Sequence, residues 1–185
     1  MRSMVAAAVL ASVFFPRLLA AQTSADRAEP KRFSLEAAAG PLVQGGNVMS
    51  ASFGFALSDG VTFVVGGERS HTPTRISRSD RGFGATRGGT WEIVSAELRL
   101  APRLNRRWAP YATLGLGLGV SHPNVNTYFS DRVSNVVRMA FVGGGASVRL
   151  SQHVSAFADA RFALGTERDV LFGSLPVRAG VAWHF

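Results

Sequence analysis

The sequence predicts an all-β chain folded as an eight-stranded antiparallel up-and-down transmembrane β-barrel, and three observations predict it. From Arg32 onward, apolar and polar residues alternate with a period of two, which sends successive side chains to opposite faces of a strand. The alternating stretches number eight, and most are near the roughly 9–11 residues that a tilted membrane strand requires. The connections also alternate, shorter after the second, fourth and sixth stretches and longer after the third, fifth and seventh. Membrane barrels carry that asymmetry.

The first stretch, Arg32 to Gly40, sets Phe33, Leu35, Ala37 and Ala39 against Ser34 and Glu36. After a turn at Pro41 to Gly46, the second runs from Asn47 to Leu57, with Met49, Ala51, Phe53, Phe55 and Leu57 opposite Ser50, Ser52 and Gly54. Ser58-Asp59-Gly60 supplies a tight turn whose glycine tolerates positive φ. The third, Val61 to Arg69, sets Val61, Phe63 and Val65 against Thr62 and Glu68. A polar segment, Ser70 to Gly89, reads as a long loop.

The fourth stretch, Thr90 to Leu100, puts Val94, Ala96, Leu98 and Leu100 opposite Ser95, Glu97 and Arg99. A basic connection follows, and the fifth, Ala109 to Val120, alternates leucines with Thr113, Gly115, Gly117 and Gly119. Ser121 to Asn135 is polar. The sixth, Val136 to Leu150, shows its phase only at the end, where Ala146, Val148 and Leu150 oppose Ser147 and Arg149. Gly143-Gly144-Gly145 suggests a bulge or bend there. Val154 to Leu164 opposes Val154, Ala156, Ala158, Ala160 and Phe162 to Ser155, Asp159 and Arg161. A loop to about Leu175 leads to the eighth, Pro176 to Phe185, where Val177, Ala179, Val181, Trp183 and Phe185 oppose Arg178, Gly180 and His184.

Alternation alone does not distinguish a soluble barrel from a membrane one. A soluble barrel buries its apolar face inside, whereas a membrane barrel turns that face to lipid and keeps a polar interior. The polar face here mixes small residues with both signs of charge. Glu36, Glu97 and Asp159 can neutralise Arg99, Arg149, Arg161 and Arg178, and a confined interior tolerates charge only when it is paired. The seven residues therefore form a candidate ion-pair network inside the barrel. A solvated outer face is the competing account of the same residues, and a soluble ligand-carrying barrel is the fold that would go with it.

Composition agrees with one exported domain. The chain of 185 residues is 46% hydrophobic and 17% charged, with 20 Gly, 13 Phe and no Cys. Disulfides and cysteine-based metal sites are thereby excluded. Residues 1–21 read as a cleavable signal peptide: Arg2, an uncharged run from Val5 to Phe15, and small residues at Ala20 and Ala21. That run is well short of the roughly 20 residues a spanning helix needs. Losing Arg2 and Arg17 lowers the formal charge of +8 by two, to +6. Residues 22–31 are a polar lead-in, and 32–185 form the barrel domain. The arginines are scattered, so anionic lipid headgroups suit them better than nucleic acid.

On these patterns, and on the terminal Trp183-x-Phe185, the chain resembles the small outer-membrane β-barrel superfamily of bacteria. The resemblance covers about residues 32–185. It implies residence in the outer membrane with both mature ends in the periplasm, and insertion by a barrel-assembly machinery that reads the terminal aromatics Trp183 and Phe185. It implies no particular activity, because members include structural proteins, adhesins, narrow pores and lipid-modifying enzymes.

Candidate chemistry is sparse. His71, His122, His153 and His184 lie far apart in sequence, without metal-ligand spacing, and no metal or cofactor is expected. Ser121-His122 is the nearest nucleophile–base pairing, yet neighbours in an extended segment point to opposite sides, so no catalytic residue is assigned. The glycine runs lack the Lys-Ser or Lys-Thr of a phosphate loop. Arg75, Arg78, Arg81 and Arg87 face only Asp80 in the long loop, an excess of about +3. Arg binds phosphate through a planar fork, so contact with lipopolysaccharide phosphates is expected there. The reading is a monomeric, non-enzymatic scaffold presenting loops. A narrow, anion-leaning pore and a lipid-A-modifying enzyme are the alternatives.

Overall fold

The computed structural model describes residues 32–79, 82–86, 88–102, 108–125, 134–167 and 170–185. The signal peptide and lead-in read from the sequence, 1–21 and 22–31, lie outside the described residues, as do Arg81 and Arg87. The described strands are β1 (Phe33–Pro41), β2 (Asn47–Ser58), β3 (Val61–Thr72), β4 (Arg75–Ser79), β5 (Gly82–Thr86), β6 (Gly89–Leu100), β7 (Trp108–Pro123), β8 (Asn135–Arg149), β9 (Val154–Glu167), β10 (Val170–Ser174) and β11 (Val177–His184).

Strands pair antiparallel in the order β1-β2-β3-β6-β7-β8-β9, β9 pairs next with both β10 and β11, and β11 returns to pair with β1, so the sheet closes. β10 and β11 pair with the same edge of β9 in one unbroken register, from Val170↔Glu167 through Ser174↔Ala163 to Val177↔Ala160. Pro176 has no N–H to give, but its carbonyl still accepts from the Arg161 N–H at 3.0 Å. Together β10 and β11 are the eighth wall. The result is an eight-walled antiparallel barrel with no helix among the described residues.

Three sequence expectations change. Residues 70–89 are not a plain loop: β3 and β6 pair as far as Thr72↔Gly89, and β4 and β5 form a separate two-stranded hairpin beyond them. The expected loop before Pro176 is in part β10, recruited by the free edge of β9. The triple glycine at 143–145 makes no bulge, since Gly143↔Arg161, Gly144↔Ala160 and Gly145↔Asp159 stay in register. Its purpose is room: a Cβ on Gly145 would stand 2.7 Å from the Asp159 Cβ. The register shift that does occur lies between Ala56 and Ser58, beside the tight turn where Gly60 has φ of 120°.

The structure also sets the phase of β8. Val137, Met139 and Phe141 point inward, and Val136, Arg138, Ala140 and Val142 point outward. Across the barrel the large apolar side chains expected outside are outside, with Leu116 at 68% and Leu118 at 62% exposed. In water such a belt would be far larger than the apolar patches soluble monomers leave uncovered. It belongs in hydrocarbon. The interior is not purely polar, however. Val48, Val64, Ile93, Val137 and Phe141 are buried within it, filling space that side chains must occupy in so narrow a barrel.

The two rims differ. The rim holding the 58–61 and 150–154 turns carries outward Phe33, Phe53, Phe63, Trp108, Trp183 and Phe185. Phe33 packs against Phe53, Phe55 and Phe185 with ring centroids 5.7, 5.4 and 6.0 Å apart. The Phe33 and Phe185 backbones exchange hydrogen bonds of 3.2 and 3.0 Å, closing the barrel at this end. The opposite rim bears outward Arg69, His71, Glu92, His122, Arg138 and Thr166.

Candidate functional site

Inward residues of β1, β3, β6, β7, β9 and β11 meet in one charged layer. Arg99 donates both terminal nitrogens to Glu36, at 2.7 and 2.9 Å, across 63 residues of sequence. Arg161 donates to Glu97 at 2.9 Å, and Thr113 donates its hydroxyl to the same carboxylate at 2.9 Å. Arg178 grips Asp159 through Nε and Nη2, at 2.9 and 2.8 Å, and reaches Ser50 at 3.1 Å and Glu68 at 3.3 Å through Nη1. Tyr111 gives its hydroxyl to Asp159 at 3.1 Å. Two looser contacts, Arg161–Asp159 at 3.7 Å and Arg99–Glu97 at 3.9 Å, join the pairs into one network.

The guanidinium faces are used as well. Arg99 lies over the Tyr111 ring at 4.7 Å and Arg161 over Phe141 at 5.0 Å, so aromatic quadrupoles add to the attraction. Bidentate pairs with stacked faces are the arrangement in which buried charge is best compensated. The Nε atoms of Arg99 and Arg161 have no partner among the described residues.

Of the seven residues expected in this network, six are gathered there. Arg149 is not. It has inward parity, but it is the last residue of β8 and stands exposed at the aromatic rim. Sequence reasoning missed Tyr111 and the role of Glu68. Glu68 had the right parity, whereas a tyrosine near the start of a strand reads equally well as belt or interior.

The layer separates two voids. One, about 160 Å³, opens at the aromatic rim and is lined by Glu36, Arg99, Tyr111, Ser155 and His184 among others. The other, about 10 Å³, lies among Glu68, Ile93, Met139, Phe141 and Arg161, barely the space of one water. Nearer the opposite rim, Trp91 of β6 stacks on Phe172 of β10, ring centroids 5.2 Å apart and planes at 14°. These strands are not neighbours, so the stack bridges the lumen. A charged layer and an aromatic bridge thus obstruct the barrel in series.

The other singled-out residues scatter. His71 meets Thr90 at 3.1 Å, His122 meets Ser134 at 2.9 Å, and the His153 ring lies tilted against Trp183 with centroids 5.8 Å apart. No group of three metal-ligating side chains forms among the described residues. Ser121 points inward to Glu167 while His122 points outward, so the two do not form a dyad. Besides the exposed His122–Ser134 contact, a second serine–histidine pair joins Ser155 and His184, Oγ to Nε2 at 2.7 Å. The β9–β11 register creates it, and no spacing in the sequence announces it. Arg75 and Arg78 lie on β4 opposite Thr86 and Phe83. Trp183 and Phe185 face outward at the aromatic rim.

No protein-family model and no curated protein matches the sequence. Solved structures do. The N-terminal β-barrel domain of Pseudomonas aeruginosa OprF superposes with a TM-score of 0.63 at 18% identity, covering 84% of this chain and 98% of that one. Neisserial surface protein A gives 0.60 at 16%, covering 83% and 95%. A major outer membrane protein from Thermus thermophilus gives 0.54 at 16%, covering 83% and 98%. The closed eight-walled sheet, its outward apolar belt and its charged interior define the class: this chain has the fold of the small outer-membrane β-barrels.

Proposed function

We propose that the protein resides in the bacterial outer membrane as a non-catalytic scaffold, a closed barrel that holds segments out from one rim. The observation that carries this reading is the obstructed lumen. Three guanidiniums tied to four carboxylates fill its cross-section, and the Trp91–Phe172 bridge adds a second barrier. A barrel so filled is better suited to presenting its surface than to passing solute.

The remaining assignments follow from the same reading. Residues 1–21 direct export and are cleaved. The aromatic rim faces the periplasm, with Trp183 and Phe185 read there by the assembly machinery. The β4–β5 hairpin and the β7–β8 and β9–β10 connections face outward. Arg75, Arg78, Arg81 and Arg87 then meet lipopolysaccharide phosphates, and the barrel works as a monomer.

Three measurements test the scaffold. Fractionation should recover the protein with outer membranes in a form whose gel migration shifts on heating. Planar bilayers containing it should show no resolved conductance steps, and lipid A extracted with and without the protein should have the same masses. Recovery in the soluble periplasmic fraction, discrete current steps or a lipid A mass change would each reject the proposal.

A further inference from the structure

The outward face of β8 is notched. Ala140 is paired with Leu116 of β7 on one side and Leu164 of β9 on the other, so a short side chain lies between two long ones. Leu118 and Leu171 extend the ridges, and Arg138 closes the notch toward the non-aromatic rim. The depression measures about 390 Å³ and is continuous with the exposed apolar belt.

Arg138 stands where that belt meets the non-aromatic rim. Its backbone neighbours across the sheet are Leu118 and Thr166, and among the described residues no carboxylate pairs with it. The other outward charges nearby are different: Arg69 lies 3.7 Å from Glu92, which also lies 3.9 Å from His122. A cation facing lipid without a partner is costly unless an anion meets it or its long stem carries it to the interface.

We propose that this notch holds one acyl chain of a phosphate-bearing membrane lipid, with the lipid phosphate seated on the Arg138 guanidinium. The inference rests on the membrane placement proposed above. The leucine ridges match a hydrocarbon chain in chemistry, and Ala140, short between Leu116 and Leu164, leaves the space the chain fills. The guanidinium fork matches phosphate oxygens. Because the notch is on the outer wall, the site is separate from the lumen and from the β4–β5 hairpin.

The test is native mass spectrometry of the folded barrel mixed with equal amounts of dioleoyl phosphatidic acid and dioleoyl phosphatidylcholine. The wild type should retain one phosphatidic acid with at least tenfold preference. Arg138→Gln should erase the preference, and Ala140→Phe should remove retention of either lipid; Arg149→Gln should leave the preference intact. Heat-modifiable migration verifies folding of each variant, and Ala140→Leu replaces the Phe variant if that shift is lost. Equal retention by the wild type, or an unchanged preference in Arg138→Gln, overturns the site. Flotation with liposomes separates the two levels. A wild type that does not float sinks the membrane placement itself, while one that floats without lipid preference sinks only the notch.

Discussion

At the residue scale the interior is governed by the cost of leaving a charge alone. Asp159 accepts from Arg178 twice and from Tyr111 once, so Asp159→Asn leaves the buried Arg178 guanidinium only the single-point contact to Glu68 at 3.3 Å as charge compensation. Breaking one side of such a pair typically costs about 3–5 kcal/mol. Urea titration of the refolded barrel should show a loss of about that size. Removing both charges of a pair should cost much less. Glu36→Met combined with Arg99→Met should recover most of what Glu36→Met alone forfeits, and a double variant as unstable as the sum of the singles would refute the coupling. Parity alone identified Glu36, Glu97, Arg99, Asp159, Arg161 and Arg178 as inward. It could not say that Arg99 meets Glu36 rather than Asp159, since those partners lie on walls that only closure brings face to face. It also could not tell depth: Arg149 has the same parity as its neighbours but ends its strand at the rim.

At the element scale, strand parity was legible while strand length and company were not. Eight alternating stretches became eight walls, yet β10 and the β4–β5 hairpin went unread. β4 is polar, β5 is glycine-rich, and β10 opens on the unbroken apolar run Val170-Leu171-Phe172; none has clear period-two contrast, so pairing partners rather than composition make them strands. The hairpin is an addition to the barrel, because β3 and β6 complete their ladder at Thr72↔Gly89. Asn124 braces the base, donating to the Thr72 carbonyl at 3.1 Å and to the Thr74 hydroxyl at 3.3 Å. Replacing residues 75–87 with a Gly-Asn-Gly-Ser turn, with Thr74 and Asn124 kept, should therefore leave the heat-modifiable barrel intact. Loss of that gel shift would mean that the hairpin helps to hold the walls together.

At the scale of the whole molecule, the barrel is an inverted protein, with leucines around its circumference and arginines at its centre. The inversion has a measurable sign. Leu116 faces outward at 68% exposure, so Leu116→Arg would be close to neutral if water surrounded the barrel. In a bilayer it should destabilise by about 2–4 kcal/mol when the site lies near the midplane. Urea unfolding from liposomes measures this, and a change below about 0.5 kcal/mol would contradict a lipid-facing wall. The sequence by itself determined which side chains share a face, because strand parity is a local property that every alternating residue reports. Tertiary structure alone decided who meets whom across the lumen, how deep each charge sits, and where Arg138 and Ala140 make a notch. Those depend on closure and register, which join residues far apart in the chain and leave no periodic trace along it.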